Sequence, residues 1–490
     1  MFEKITPEAA GIASGKVLDF VKMLDGYGFQ THSMIMARGE KIFAEGYWAP
    51  FDAAFNHRMY SVSKSFTAIA IGMAIKDGLL SLDDRFMDYF PEYDNEDLDP
   101  YVGEATIRDM LMMRSSMINY ADYWWRDGSD RVAAYFTKPA SQIPGTLYFY
   151  DSSASFMLGV IVEKLTGKEF LEYMKEKVLL DMGFSKGSYT LHVPGGHTFG
   201  DSGVMCTSRD LLIFAKFVMD GCMWKGVRYV DEDFARDAIS KLSDNYIDST
   251  VCLLSHNGYG YYIWQAPNNG FCFIGMGDQL MFCDPAKEFI FVITSDNQDS
   301  EKVTRALITH ELYTSIIPNI GDPLPEDPAA SGELSEYLAS RTLVCERGAY
   351  DSTEKAQIDG VTYTLEKNPM GVSEFRVCFD EDGGTLIYMD REGEKRIPFG
   401  FGCNRPGTIP VTKRFGLTAA WYEDGTYDGM ASAAFTEPAK LRIRMQMVDT
   451  YFGGITWNLY FKGGRVTWLA KKWGSRILEG ISGYAIGKKK

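Results

Sequence analysis

Ser61 and Lys64 have the residue types and the spacing for covalent acyl transfer. A serine hydroxyl is a weak nucleophile until a base takes its proton, and a desolvated lysine can be that base. The run Tyr60-Ser61-Val62-Ser63-Lys64-Ser65 leads into a segment where Phe66, Ile69, Ala70, Met73 and Ala74 recur at helical spacing. Gly78 supplies a stop just past the last periodic position. The pattern predicts a helix with a reactive first turn, on which residues three apart share a face. The positive end of its dipole would meet an oxyanion forming there.

Ser-x-x-Lys is a short pattern, and chance supplies about one instance in a chain of this length and composition. A second instance, Ser352-Thr353-Glu354-Lys355, lies in a polar, acidic stretch with no apolar helix behind it and is read as chance. A helix cap is the ordinary alternative for Ser61, since serine is a favoured capping residue. Support for chemistry has to come from the rest of the chain.

With 490 residues the chain exceeds one ordinary domain, and 46% apolar content is ample for large cores. A net charge of −16 argues against nucleic acid or an anionic membrane as the main partner. The start, Met1-Phe2-Glu3-Lys4-Ile5, has no basic region followed by an apolar run, and no segment is apolar for long enough to span a bilayer. The eight cysteines include no Cys-x-x-Cys pair, and the six histidines include no His-x-x-x-His. The expectation is a cytoplasmic protein with free thiols, no metal and no cofactor, and the charge leaves a small-molecule or short-peptide substrate open.

Ahead of the Ser61 helix, residues 7–26 read as an amphipathic helix and 33–49 as a β-hairpin. Behind it, Thr106 caps a short helix, and residues 119–140 gather Tyr120, Tyr123, Trp124, Trp125, Tyr135 and Phe136, a core cluster whose polar interruptions also suit a pocket wall. Residues 155–167 and 211–219 read as helices, and 259–296 carries four strand signals. A last helix covers 302–316. The simplest closure joins the early hairpin to the late strands in one antiparallel sheet, flanked by helices, with a mostly helical insert between: an α+β fold. Residues 1–317 form this domain, 318–332 a Pro/Gly/acidic linker, and 333–490 a separate β-rich accessory domain.

Three stretches carry a resemblance. They are Tyr60-Ser61-Val62-Ser63-Lys64; Pro144-Gly145-Thr146 through Tyr150-Asp151-Ser152 to Leu158-Gly159; and Gly275-Met276-Gly277-Asp278-Gln279. In order and separation the chain is similar to the serine β-lactamase and penicillin-binding-protein superfamily, in the class C-like branch of esterases and D-aminopeptidases. The likeness covers roughly residues 5–315. It implies a β-lactamase-like fold and a serine hydrolase cleaving an ester, amide or D-amino-acid peptide bond. Ser61 would be the acylated nucleophile and Lys64 its proton partner. Tyr150 matches the tyrosine of a Tyr-x-Asn motif that shares the general-base work, and the choice of base between Lys64 and Tyr150 stays open. Taken alone, Tyr150 is one of 28 tyrosines and would default to packing.

Two departures bear on substrate. Ser152 stands where the motif has Asn; its hydroxyl can still bond a substrate carbonyl. Ile274 stands where the third motif often has Lys or His, and an isoleucine cannot bind the carboxylate of a β-lactam. The backbone N–H of Gly277 is the expected partner of that of Ser61 in an oxyanion hole. The alternative reading is a non-catalytic ligand-binding or sensor module on the same fold. Gly200-Asp201-Ser202-Gly203 resembles the nucleophile loop of trypsin-like proteases, but it runs into a helical pattern and is read as a loop turn.

Overall fold

The computed structural model describes residues 2–117, 130–246, 257–415, 422–474 and 477–490. Tyr120, Tyr123, Trp124 and Trp125, named above, lie outside them, as do Cys252 and Trp421. The chain divides into two compact units, with the main boundary between Thr342 and Leu343.

The first unit is built on a seven-stranded sheet: β1 (Glu3–Lys4), β2 (Thr31–Arg38), β3 (Lys41–Tyr47), β4 (Trp264–Gln265), β5 (Phe271–Gly275), β6 (Gln279–Asp284) and β7 (Phe289–Ser295). Their spatial order is β1-β3-β2-β7-β6-β5-β4. The early hairpin therefore joins the late strands where β2 pairs antiparallel with β7, Met36 opposite Phe291 and Met34 opposite Ile293. Strands β5, β6 and β7 are buried along their whole length. Such continuous apolar strands need cover on both faces.

Helices provide it: α1 (Ser14–Tyr27), α2 (Ser63–Lys76), α3 (Ser152–Thr166), α4 (Ser208–Met219), α5 (Glu301–Glu311) and α6 (Pro328–Ala339). Phe20 of α1 meets Phe291 edge-on at 5.5 Å on one face. Phe214 of α4 meets Phe273 at 5.4 Å on the other and stacks on Phe66 of α2 at 3.7 Å. Every residue of α2 from Ser63 to Ala74 is buried. It is a core helix, apolar well beyond the single stripe its spacing indicated. Gly159 of α3 faces the loop at Gly200: a Cβ there would lie 3.4 Å from the Gly200 Cα and 4.0 Å from Thr67 Cγ2 of α2.

Helix α6 begins at Pro328, inside the stretch read as a linker, is capped by Asp327, and belongs to the first unit. Tyr337 and Arg341 both bond Asp25, each at 2.7 Å. Tyr135 and Phe136 pack with Phe86 and Phe90. Among the described residues no helix is long and apolar enough to cross a membrane, and no cluster of three metal-ligating side chains occurs. The seven described cysteines are free thiols.

The second unit is a β-barrel. Its strands are β8 (Tyr363–Leu365), β9 (Glu374–Asp380), β10 (Gly383–Asp390), β11 (Gly393–Phe401), β12 (Asp428–Glu437), β13 (Lys440–Met447), β14 (Gly454–Lys462), β15 (Arg465–Trp473) and β16 (Gly483–Lys489). They run β11-β10-β9-β8-β16-β15-β14-β13-β12, and β12 closes on β11 through Gly400–Ser432 and Phe401–Ala433. Alternation sends Ile455, Trp457, Leu459 and Phe461 of β14 and Val466, Trp468 and Ala470 of β15 inward.

Candidate active site

Ser61 sits in a single tight turn, Tyr60–Val62, and α2 begins only at Ser63. Ser61 is therefore a turn ahead of the α-helix. The capping role also falls away, because the helix start is Val62 and carries no side-chain cap. Tyr60 takes φ 47°, a left-handed conformation that costs energy in a residue with a Cβ. Its surroundings hold it there. The Arg58 guanidinium lies 4.5 Å over its ring, and Met59 N–H donates to the Val204 carbonyl at 2.9 Å.

The hydroxyls interleaved through the start of α2 fix this turn against three other segments. Ser63 Oγ accepts from Val204 N–H at 2.9 Å, Ser65 Oγ donates to the Tyr262 carbonyl at 2.7 Å, and Thr67 Oγ1 donates to the Gly200 carbonyl at 2.9 Å. Lys64 is 1% exposed, whereas Ser61 remains partly open to solvent. Lys64 Nζ donates to Ser61 Oγ at 3.0 Å and to the Asp201 carbonyl at 2.8 Å. The Asp201 side chain is buried 3.8 Å from Arg131. Burial pushes its carboxyl up, opposed by the charges of Lys64, Arg131 and Arg58.

Tyr150 is delivered to the same place. Its ring lies 5.1 Å from Lys64 Nζ and stacks on Trp264 of β4, centroids 5.8 Å apart. The segment carrying it hangs on the chain near Met113: Gly145 N–H donates to the Arg114 carbonyl and Phe149 N–H to the Met113 carbonyl, both at 2.8 Å. Asp151 then caps α3, accepting from Ser153 N–H at 2.8 Å and from Ser115 Oγ at 2.7 Å. Ser152 opens α3 and is partly exposed.

Gly277 lies in the β5–β6 turn at φ 76°. Its carbonyl is tied back by Ser295 Oγ at 2.7 Å and Asn297 N–H at 3.1 Å. Its own N–H has no acceptor among the described residues. Next to it, Asp278 is buried and bonds Thr304, Asn297 and Arg305. Burial, opposed by Arg305, raises its carboxyl to about 6. Ile274 is buried at the end of β5. Strand β5 packs directly on the chain leading into the Ser61 turn: a Cβ on Gly275 would lie 2.3 Å from the Met59 carbonyl oxygen.

Ser61, Lys64 and Tyr150 thus come together where a buried helix adjoins the sheet. The beta-lactamase family model fits residues 19–314, more than half of the chain. The chain belongs to the beta-lactamase family. It is thereby a hydrolase of the serine β-lactamase and penicillin-binding-protein superfamily. Within the family it is 24% identical over 293 residues to the 6-aminohexanoate-dimer hydrolase of Paenarthrobacter ureafaciens, covering 55% of this chain and 74% of that one. It is 26% identical over 177 residues to the lovastatin esterase of Penicillium rubens, covering 31% and 44%. Among solved structures it resembles a candidate 6-aminohexanoate-dimer hydrolase from Bacillus anthracis. The TM-score is 0.51 at 16% identity, over 65% of this chain and 89% of that one, a likeness of fold.

Several residues at the site had no signal in the motifs. Asp201 contributes a backbone carbonyl, which no side-chain pattern announces. Gly200-Asp201-Ser202-Gly203 is a loop, as read, yet it lines the site: Asp201 receives Lys64, and the Ser202 carbonyl receives Arg58 Nε at 3.0 Å. Ser115 and Trp264 act through Asp151 and Tyr150, far away in sequence.

Proposed function

We propose that this chain works through an acyl-enzyme on Ser61. The observation that carries the reading is the 3.0 Å contact between a buried Lys64 Nζ and a partly exposed Ser61 Oγ. In this reading Ser61 Oγ attacks the substrate carbonyl carbon while its proton passes to the Lys64–Tyr150 pair. The carbonyl electron pair moves onto oxygen, where the N–H groups of Ser61 and Gly277 hold the charge. Collapse of the tetrahedral species breaks the bond to the alcohol or amine, which leaves with a proton from Tyr150 or Lys64. Water, deprotonated by the same pair, then attacks the ester on Ser61; the acyl C–Oγ bond breaks, the proton passes from the pair to Ser61 Oγ, and the acid is released. In the same reading Ser152 Oγ bonds the substrate.

The substrate reading is an ester, an amide or a D-amino-acid peptide bond with an uncharged group facing Ile274. The side chain at that position is apolar and buried, so it offers nothing to an anion. Two relatives are named for a dimer hydrolase and an esterase, which supports the same bond types. The test is intact-protein mass after a fluorophosphonate or a p-nitrophenyl ester, wild type beside Ser61→Ala. The expected result is one adduct on the wild type and none on the variant. No adduct on folded wild type, or an adduct surviving in Ser61→Ala, would overturn the mechanism in favour of a binding module.

A further inference from the structure

One mouth of the C-terminal barrel holds a cavity of about 450 Å³ that the hydrolase reading does not use. Pockets for small molecules run from about 300 to 1,000 Å³, and closed barrels of modest strand number either fill their interior or hold one small ligand. Tyr388, Trp457 and Trp468 line it from β10, β14 and β15. Tyr388 and Trp468 meet edge-to-face at 5.5 Å, with Tyr388 and Trp457 centroids 6.5 Å apart. Met370, Val372, Ile477 and Leu478 supply further apolar lining from two loops.

Two polar features narrow what would fit. Trp468 is 1% exposed, and its Nε1–H has no acceptor among the described residues. An indole N–H can only donate, and buried donors left unpaired are rare. The charged lining is uneven in how it is engaged. Glu392 pairs with Lys395 at 3.1 Å, Glu479 pairs with Lys472, and Asp390 accepts from the Glu392 N–H at 2.8 Å. Arg391 is exposed and has no hydrogen bond or ion pair among the described residues. Its stem runs over Gly371, where a Cβ would lie 2.6 Å from Nε.

We propose that this barrel mouth binds a small amphipathic acid. The apolar body packs on Tyr388, Trp457 and Trp468, an acceptor oxygen meets Trp468 Nε1, and the anionic end meets the Arg391 guanidinium. Arginine suits that role because its planar fork matches a carboxylate and stays charged. The site is independent of Ser61 and stands whether or not the chain hydrolyses anything.

The experiment is a titration of the full chain with anilinonaphthalene sulfonate, followed by fluorescence, with decanoate and decanol as competitors. The expected result is saturable binding of one equivalent, displaced by decanoate at least about tenfold more effectively than by decanol. Trp468→Phe keeps the ring and removes the donor, and Arg391→Gln changes only the exposed rim. Each should weaken binding about five- to tenfold. Val372→Trp, which fills the cavity, should abolish it; if that variant does not fold, the other two decide. No saturable binding below about 1 mM overturns the proposal, as does equal affinity in wild type, Trp468→Phe and Arg391→Gln.

Discussion

The Met59 carbonyl oxygen and Gly275 are in such close approach that a Cβ on Gly275 would lie 2.3 Å from that oxygen. Met59 is two residues before Ser61, so the end of β5 sets the position of the Ser61 turn. A backbone atom cannot rotate away as a flexible side chain can. Gly275→Ala should cost about 1–3 kcal/mol of stability and slow acylation of Ser61 as well. A denaturant melt and the fluorophosphonate labelling rate check both parts. An unchanged labelling rate in a destabilised variant would show that β5 does not position the turn.

Lys64 and Tyr150 should each carry proton-transfer work. Removing one positioned acid–base group typically costs about 10²–10⁴-fold in rate. Lys64→Met and Tyr150→Phe keep most of the side-chain volume, so ester hydrolysis should fall by that order while the far-ultraviolet circular dichroism stays native. If Tyr150→Phe retains the wild-type rate, the proton work rests on Lys64 alone.

Asp151 links the Tyr150 segment to α3. It caps the helix through Ser153 and holds Ser115, a fully buried hydroxyl. Asp151→Ala removes the cap, worth about 0.5–2 kcal/mol, and leaves Ser115 Oγ without that partner. Thermal unfolding should show the loss, and KM for a p-nitrophenyl ester should rise because Ser152 begins the same helix turn. Asp151→Asn keeps an acceptor and should lose less on both counts.

Glu45 ties three elements together. Arg209 of α4 bonds it twice, at 2.7 and 2.8 Å, and Lys4 of β1 and Tyr47 of β3 each reach it at 2.8 Å. Burial would raise its carboxyl, but the bonds from Arg209, Lys4 and Tyr47 outweigh that and bring it from 4.5 down to about 2. The folded value lies below the ordinary one. Its stabilisation is therefore complete above pH 4.5 and is lost as pH falls toward about 2. Arg209 and Lys4 are half-exposed or more, so solvent screening leaves about 1 kcal/mol. Glu45→Gln should be less stable than wild type by that amount at pH 7, with the gap closing across this acid window in urea melts.

The periodic and capped segments were legible in the sequence. Phe66, Ile69, Ala70 and Met73 marked α2, Thr106 capped its helix as expected, and Gly167 closed α3 at φ 68°. Hydrophobic spacing and cap chemistry act over a few residues, so a linear reading captures them. The segment 259–263 was less tractable. Its aromatics looked like a strand, but Tyr262 turns at φ 55° and only Trp264–Gln265 pairs with the sheet. Packing of those rings around Tyr148 and Tyr150 overrode local propensity there.

Sequence alone determined which side chains are available for chemistry and their order along the chain: Ser61 and Lys64 three apart, Tyr150 after a Pro-Gly turn, Gly277 after a strand. Tertiary structure decided what surrounds them. It placed Ser61 in a turn ahead of the helix, gave Lys64 the carbonyl of Asp201, set Tyr150 on Trp264, and anchored the Gly277 carbonyl on Ser295. Each of those contacts joins residues far apart in the chain, and most run through backbone atoms, which every residue type carries alike. The residue string therefore holds no mark of them until the sheet and its helices bring the segments together.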